Sequence, residues 1–523
     1  MSTSFISERL SDGGSRLILA DMANSESIYS LLLTELKEIT LLGSVTGILG
    51  WDERTQMPAK AAGLRADQLS LMAKLIHQRF TSPKIREWLS QLESSSLDEN
   101  AAVNVRETRR RYDRSVKIPE SLVQEETHVA VMAQQAWASA RKDSDFAGFA
   151  PWLEKIIPLK LQRAKCLGYA VHPYDALLDQ FEPDETTANL TRVFDSLKGP
   201  LIELIARIKA SPSQAPASIL ERSYPIHQQE TLAREAAAAI GFDFEAGRLD
   251  ISVHPFCSGI GPGDTRMTTR YDEKYFGDAF FGVLHETGHG LYNQGLPSEH
   301  FGTPLASAVS LGIHESQSRM WENLVGRSRS FWKFFLPKAR ASFPEALTDV
   351  TDEQWFRAIN DVRPSFIRVE SDEATYNLHI LIRFELEQAI MTGDLSVADL
   401  PGAWNEKMQK YLGITPPDAA RGILQDIHWS GGAIGYFPTY TLGNLYAAQF
   451  FEAARNDLGD LDAQFAQGEF APLLGWLREN IHRHGKRYSA GQLAKRITGK
   501  ELSAEPLIRH LKKKAAEVYQ LSF

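Results

Sequence analysis

Apolar residues recur every three or four positions through most of this chain. Ile28, Leu31, Leu32, Leu36 and Ile39 fall on one helical face, and the run continues toward Trp51. Pro58 and Gly63 interrupt it before a second helical stretch through Leu75 and Ile76. Helical periods follow over 100–115, 120–140 and 149–167. Ser211-Pro212-Ser213-Gln214-Ala215-Pro216 predicts a loop, and 233–240 a helix closed by Gly241. The period then shortens to two. Leu249, Ile251 and Val253 alternate with Asp250, Ser252 and His254, the pattern of a half-buried strand. A Gly/Pro loop at 259–263 leads to a second strand over 265–271, and the two are expected to pair antiparallel. Long helices resume over 306–332, 352–360, 372–391 and from 440 past 457. The expected fold is mainly α with one small antiparallel sheet. Residues 1–24, polar and weakly periodic, read as a flexible tail before a single domain over 25–523.

Within the apolar run 279–296 stands His285-Glu286-Thr287-Gly288-His289. On a helix the two histidines lie one turn apart on one face, and Glu286 is turned by about 100° from the first. All three side chains can face one cavity, two imidazoles to hold a metal and a carboxylate beside its water. Phe280, Phe281, Val283 and Leu284 before the motif, and Leu291 and Tyr292 after it, mark a buried helix. Buried histidines and a buried glutamate need partners, and a metal is the simplest one.

Composition narrows the functional classes. The chain has 523 residues, 43% hydrophobic, with a formal net charge of −9, so no global basic field draws it to nucleic acid or an anionic membrane. The basic clusters at 106–114 and 512–514 read as solvated helix faces. Two cysteines, Cys166 and Cys257, are too few for a disulfide framework. With no apolar stretch of transmembrane length and no leader-like N-terminus, the expected location is the cytoplasm.

Two histidines leave a catalytic zinc one protein ligand short. Glu315, in His314-Glu315-Ser316-Gln317, follows His289 by 26 residues (315 − 289), enough to leave one helix and return on its neighbour. His314 is the local competitor but points about 100° away. Glu322, two turns further along the same face, is placed to accept the free N–H of a ligating histidine.

At this point the residues resemble the carboxypeptidase Taq family of zinc metallocarboxypeptidases. His254-Pro255-Phe256, Asp264-x-Arg266-x-Thr268, His285 to His289 and His314 to Gln317 stand in the family's order. Ile367-Arg368-Val369-Glu370-Ser371-Asp372 and Gly422-x-x-Gln425-Asp426-x-His428-Trp429 follow. Trp51-Asp52 with Thr55, Met57 and Pro58, and Arg110-Arg111-Tyr112-Asp113, extend the match upstream, so it runs from about residue 28 to the C-terminus. Ser371 in place of an expected alanine, and Cys257 after the His-Pro-Phe triplet, are minor departures. The resemblance implies a helical fold similar to neurolysin and angiotensin-converting enzyme, with a long groove between two helical halves. It also implies a homodimer, zinc that cobalt can replace, and peptide substrates trimmed one residue at a time from a free C-terminus. Side-chain tolerance is expected to be broad and release of proline poor. His254, Asp264, Gln425 and Asp426, as motif residues, are expected at the substrate site.

For the chemistry, a metal polarises the scissile carbonyl and Glu286 moves a proton from water to the leaving amine. The oxyanion needs a further donor. His428 and Tyr436, joined by a glycine-rich segment, are the candidates, with Tyr440 as the alternative to Tyr436. A terminal carboxylate calls for a planar guanidinium, Arg368 first and Arg266 second. The nearest rival is an oligoendopeptidase or dipeptidyl carboxypeptidase of the same fold type. A helical scaffold that keeps the metal without catalysis is disfavoured by the intact Glu286.

Overall fold

Helices Ser7–Thr55, Ala62–Phe80, Pro83–Glu93, Glu99–Lys117, Glu120–Asp143 and Phe146–Leu167 open the chain in the computed structural model. It describes the backbone of residues 7–523, and side chains from Ser25 onward. The tail expected over 1–24 lies outside the residues described in full. Local chemistry sets several boundaries. Asp98 accepts from Ala101 N at 2.8 Å to start the fourth helix, and Pro58 stands between the first two. Gly63 sits one residue into the second helix instead of breaking it. Leu32, Leu36, Phe80, Leu89 and Tyr112 close a small core among these helices, while the rest of the chain shares one large core.

The sheet differs from the expected pair. It has three strands, β1 (Gly247–Ile251), β2 (Cys257–Gly261) and β3 (Asp264–Thr269), in the order β1-β3-β2. β1 and β3 run parallel, with Leu249 opposite Met267, whereas β2 pairs antiparallel with β3, Cys257 opposite Met267. The reason is that β2 crosses to the far edge before the chain hairpins back into the centre. The segment read as a loop over 259–263 thus begins inside β2.

The helix Gly277–Gly295, hereafter the metal helix, ends at Gly295 as expected. The single helix expected over 306–332 is instead split. Helix Leu311–Arg319 runs into a π-helical turn Met320–Val325, and a new helix, Arg329–Ser342, follows. Ser310 accepts from Ile313 N and Ser328 from Phe331 N, so each serine starts its own helix. Helices Asp352–Ile359, Thr375–Thr392 and Pro438–Leu458 occupy the remaining expected stretches. Among the described residues, no helix is long and apolar enough to cross a membrane.

Candidate metal centre

The metal helix and helix Leu311–Arg319 meet backbone to backbone at Gly288. A Cβ at Gly288 would stand 2.5 Å from Gln317 O and from Ser318 Cα, so only glycine permits this approach. The contact brings Glu315 across to the histidines. Its Oε2 lies 3.7 Å from His285 Nε2 and 3.4 Å from His289 Nε2. Donor atoms of these three residues all lie within 4.8 Å of one another, a group that can hold a metal ion.

The other nitrogen of each ring is already engaged. His285 Nδ1 lies 2.9 Å from Glu322 Oε2, and His289 Nδ1 lies 3.1 Å from the His314 carbonyl. Both acceptors favour a proton on Nδ1, the arrangement in which Nε2 can serve as a metal donor beside Glu315. The donor set therefore fits a metal on this structure's own geometry. His314 stays out of the group: its ring stacks on His289 at 4.4 Å and its Nε2 lies 3.2 Å from Asn293 Oδ1. Burial, reinforced by His289, holds its pKa well below the usual imidazole range.

Arg319 ties the two carboxylates together. Its Nε donates to Glu315 Oε1 at 2.7 Å and its Nη1 to Glu322 Oε2 at 3.3 Å. Burial opposes ionisation of Glu315, but Arg319 and the histidines outweigh it and hold the carboxyl far below its ordinary range. Glu322 is brought down to about 2 in the same way, burial being overcome by Arg319 and His285. On Glu286 burial prevails, raising it against the pull of the two histidines. Half-buried Cys257 accepts from Asn293 Nδ2 at 3.7 Å. Burial, with the Glu286 charge adding to it, pushes its thiol up.

A second polar group adjoins the first through Tyr376. The Arg319 guanidinium lies 4.3 Å from the Tyr376 ring centre, and Arg368 Nη1 donates to Tyr376 Oη at 2.8 Å. Arg368 is 5% exposed and pairs with Asp426, its Nε at 3.1 Å and Nη2 at 2.8 Å from Oδ1. Asp426 also accepts from Arg383 Nε at 2.7 Å. Gln425 Oε1 accepts from Arg368 N at 2.8 Å, while its Nε2 donates to the carbonyls of Phe366, Arg421 and Gly422. The Gln425 side chain thus ties the backbone at Phe366 and Arg368 to its own turn.

His428 Nε2 lies 3.3 Å from Tyr440 Oη, and Tyr436 sits 5.4 Å ring to ring from His428 and 5.5 Å from Tyr440. The two tyrosines therefore share one cluster with the histidine, and Tyr440 makes the hydrogen bond. Burial, with Arg368 and Arg383, outweighs Asp426 and lowers His428 to about 4, so the ring is neutral at pH 7. Beneath this segment, buried Glu387 accepts from Tyr174 Oη at 2.6 Å, Trp429 Nε1 at 2.7 Å and Gly435 N at 3.1 Å.

The remaining motif residues lie elsewhere. Arg266 makes two bonds to Asp264, at 2.9 and 2.8 Å, and lies 4.5 Å from the Trp51 ring centre. His254 is exposed, its carbonyl accepting from Ser252 Oγ at 2.7 Å. Thr268 Oγ1 accepts from Phe256 N at 3.0 Å and holds that loop. Sequence reasoning missed Arg319, Tyr376, Arg383 and Glu387. Only Arg319 carried a readable signal, four residues after Glu315 on one helix.

Two packed helices presenting a His-His-Glu donor group, in a mainly helical chain, define a metallopeptidase-type centre. Comparison with known proteins makes the assignment specific. The chain belongs to the carboxypeptidase Taq (M32) metallopeptidase family, whose model matches residues 31–515. It is 49% identical over 508 residues to thermostable carboxypeptidase 1 of Thermus thermophilus, covering 94% of this chain and 99% of that one. Carboxypeptidase 1 of Bacillus subtilis is 41% identical over 488 residues, 93% and 97% of the two chains. The crystal structure of an M32 carboxypeptidase from Deinococcus radiodurans superposes with a TM-score of 0.93 at 39% identity, covering 95% of this chain and all of that one.

Proposed function

We propose that this metallopeptidase is a zinc-dependent carboxypeptidase that releases single residues from the free C-terminus of peptides. Cobalt can replace zinc, side-chain tolerance is broad, and proline is released poorly. The observation that carries the metal reading is the pair of Nε2 atoms facing Glu315, each ring being held by an acceptor beside its Nδ1. His285, His289 and Glu315 hold the ion. When bound, it supplies Lewis-acid polarisation of the carbonyl and a lowered pKa for water.

The protein's own groups do the rest. Glu286, one residue from a ligand and buried, takes a proton from water and passes it to the departing amine. The His428, Tyr436 and Tyr440 cluster supplies donors for the oxyanion. Arg368 supports the choice of a free terminus. Of its five N–H groups, three are spent on Asp426 and Tyr376, leaving one on each terminal nitrogen for a carboxylate. Arg266, Asp264 and His254 form an outer set, while Gln425 and Asp426 act by positioning Arg368. Residues 25–523 work as one catalytic unit of two helical halves flanking a groove, as a homodimer in the cytoplasm.

The test is C-terminal release from short N-blocked peptides with zinc or cobalt, with chelator, and with Glu286→Gln. Stepwise loss of single residues, abolished by chelator and by the substitution, is expected. Internal cleavage or dipeptide release under the same controls would move the protein to the endopeptidase or dipeptidyl carboxypeptidase reading. Metal binding without cleavage would refute the enzyme.

A further inference from the structure

A cavity of about 370 Å³ lies beyond the C-terminal end of the metal helix and is lined by none of the three metal donors. The N-terminal helices, the β2–β3 hairpin and the segment around Pro297 to Ser307 enclose it. Much of its lining is apolar, with Leu36, Ile39, Phe80, Ile260 and Phe301 contributing. The charged part of the lining is unbalanced. Arg111 and Lys486 face a single carboxylate, Glu107, in a chain whose net charge is −9.

That carboxylate is already occupied, accepting from Arg106 Nε at 2.8 Å. Neither Arg111 nor Lys486 forms an ion pair among the described residues, although acidic side chains outnumber basic ones in the sequence. The Arg111 guanidinium instead lies 4.4 Å from the Phe80 ring centre, at the boundary between the charged and apolar parts of the lining. The Lys486 backbone is held in place, since Arg106 Nη2 donates to the carbonyls of Lys486 and Arg487 at 3.3 and 3.1 Å. Burial pulls the pKa of both cations down. Thr108, a lining residue that is 2% exposed, has a hydroxyl with no hydrogen-bond partner among the described residues. Two partly desolvated cations that form no ion pair among the described residues cost free energy that a bound anion would offset.

We infer that this cavity binds a small anion with an apolar body, a monocarboxylate bearing an aryl or branched alkyl group, with its charge on Arg111 and Lys486. The apolar body lies against Phe80, Ile39 and Ile260. The occupant touches Asn293, which pairs with His314, the residue stacked on His289, so the cavity adjoins the metal centre without sharing its ligands.

The probe is 4-iodophenylacetate on the metal-loaded full chain. Anomalous scattering from soaked crystals locates the iodine, and calorimetry gives the Kd for wild type, Arg111→Gln and Lys486→Met, with inorganic phosphate as a second arm. Iodine in the cavity beside Phe80, and binding weakened at least tenfold in both variants, is expected. Iodine only beside the metal donors, or variants that bind as wild type does, would overturn the site. Phosphate binding more tightly than the aryl carboxylate would overturn the apolar half of the assignment.

Discussion

Gly443 presses against Glu315: a Cβ built on this glycine would stand 2.6 Å from Glu315 Cβ and 3.1 Å from its carbonyl carbon. The absence of a side chain on helix Pro438–Leu458 thus creates the notch in which the third metal donor sits. Gly443→Ala is expected to push Glu315 off its position between the histidines. Metal affinity should fall at least tenfold, with a stability loss of about 1–3 kcal/mol from overpacking. Chelator competition and thermal melting measure the two effects. A stability loss with unchanged metal affinity would show that the helix shifts as a body and carries Glu315 with it.

Glu322 acts through His285. Its Oε2 sits 2.9 Å from Nδ1, and the carboxylate stays ionised because Arg319 and His285 outweigh its burial. Glu322→Ala is expected to weaken metal binding by about 10–100-fold. Glu322→Gln keeps an acceptor for the Nδ1 proton and should lose less. Equal losses in the two variants would assign the effect to packing instead of hydrogen bonding.

Asp426 lies between two arginines, Arg368 and Arg383, that are 5% and 0% exposed. Asp426→Asn leaves both cations buried without a counter-charge and should cost about 3–5 kcal/mol of stability. Arg368→Ala tests function directly. Turnover of peptides with a free terminus should drop sharply, while the slow turnover of amidated peptides changes little. Equal loss on both substrates would remove Arg368 from terminal recognition.

Glu387 gives a pH signature away from the metal. Burial raises it from the ordinary 4.5 to about 7, against the pull of Tyr174, Trp429 and Gly435. The folded protein therefore holds this proton more tightly than the unfolded chain. That stabilisation is complete below about pH 4.5 and is lost as pH rises through about 7. Glu387→Gln mimics the protonated form at every pH. Its melting temperature relative to wild type should rise between pH 4.5 and 7 and then level off. A difference that stays constant across that range would show that Glu387 titrates normally.

The His-His-Glu group could be read from the sequence because metal ligation imposes strict local rules. Two histidines at i and i+4 with a glutamate between them announce one helix face, and Glu315 falls at a distance that suits a neighbouring helix. β2 could not be read this way. Cys257-Ser258-Gly259-Ile260-Gly261 has two glycines and no apolar alternation, so only pairing with β3 makes it a strand. Gln425 and Asp426 are expected at the substrate site only through the family motif that contains them. Their tertiary partners, Arg368 and Arg383, give them a bracing geometry instead. Gly443 carried no signal at all, since its requirement comes from a helix far upstream.

That separation bears on how the protein is made. All three donors belong to two successive helices, whereas the notch that seats one of them is 128 residues later (443 − 315). A nascent chain that ends before Gly443 carries every ligand but lacks the surface against which Glu315 is held. The native placement of Glu315 beside the two histidines is therefore complete only after the C-terminal helices have emerged and packed.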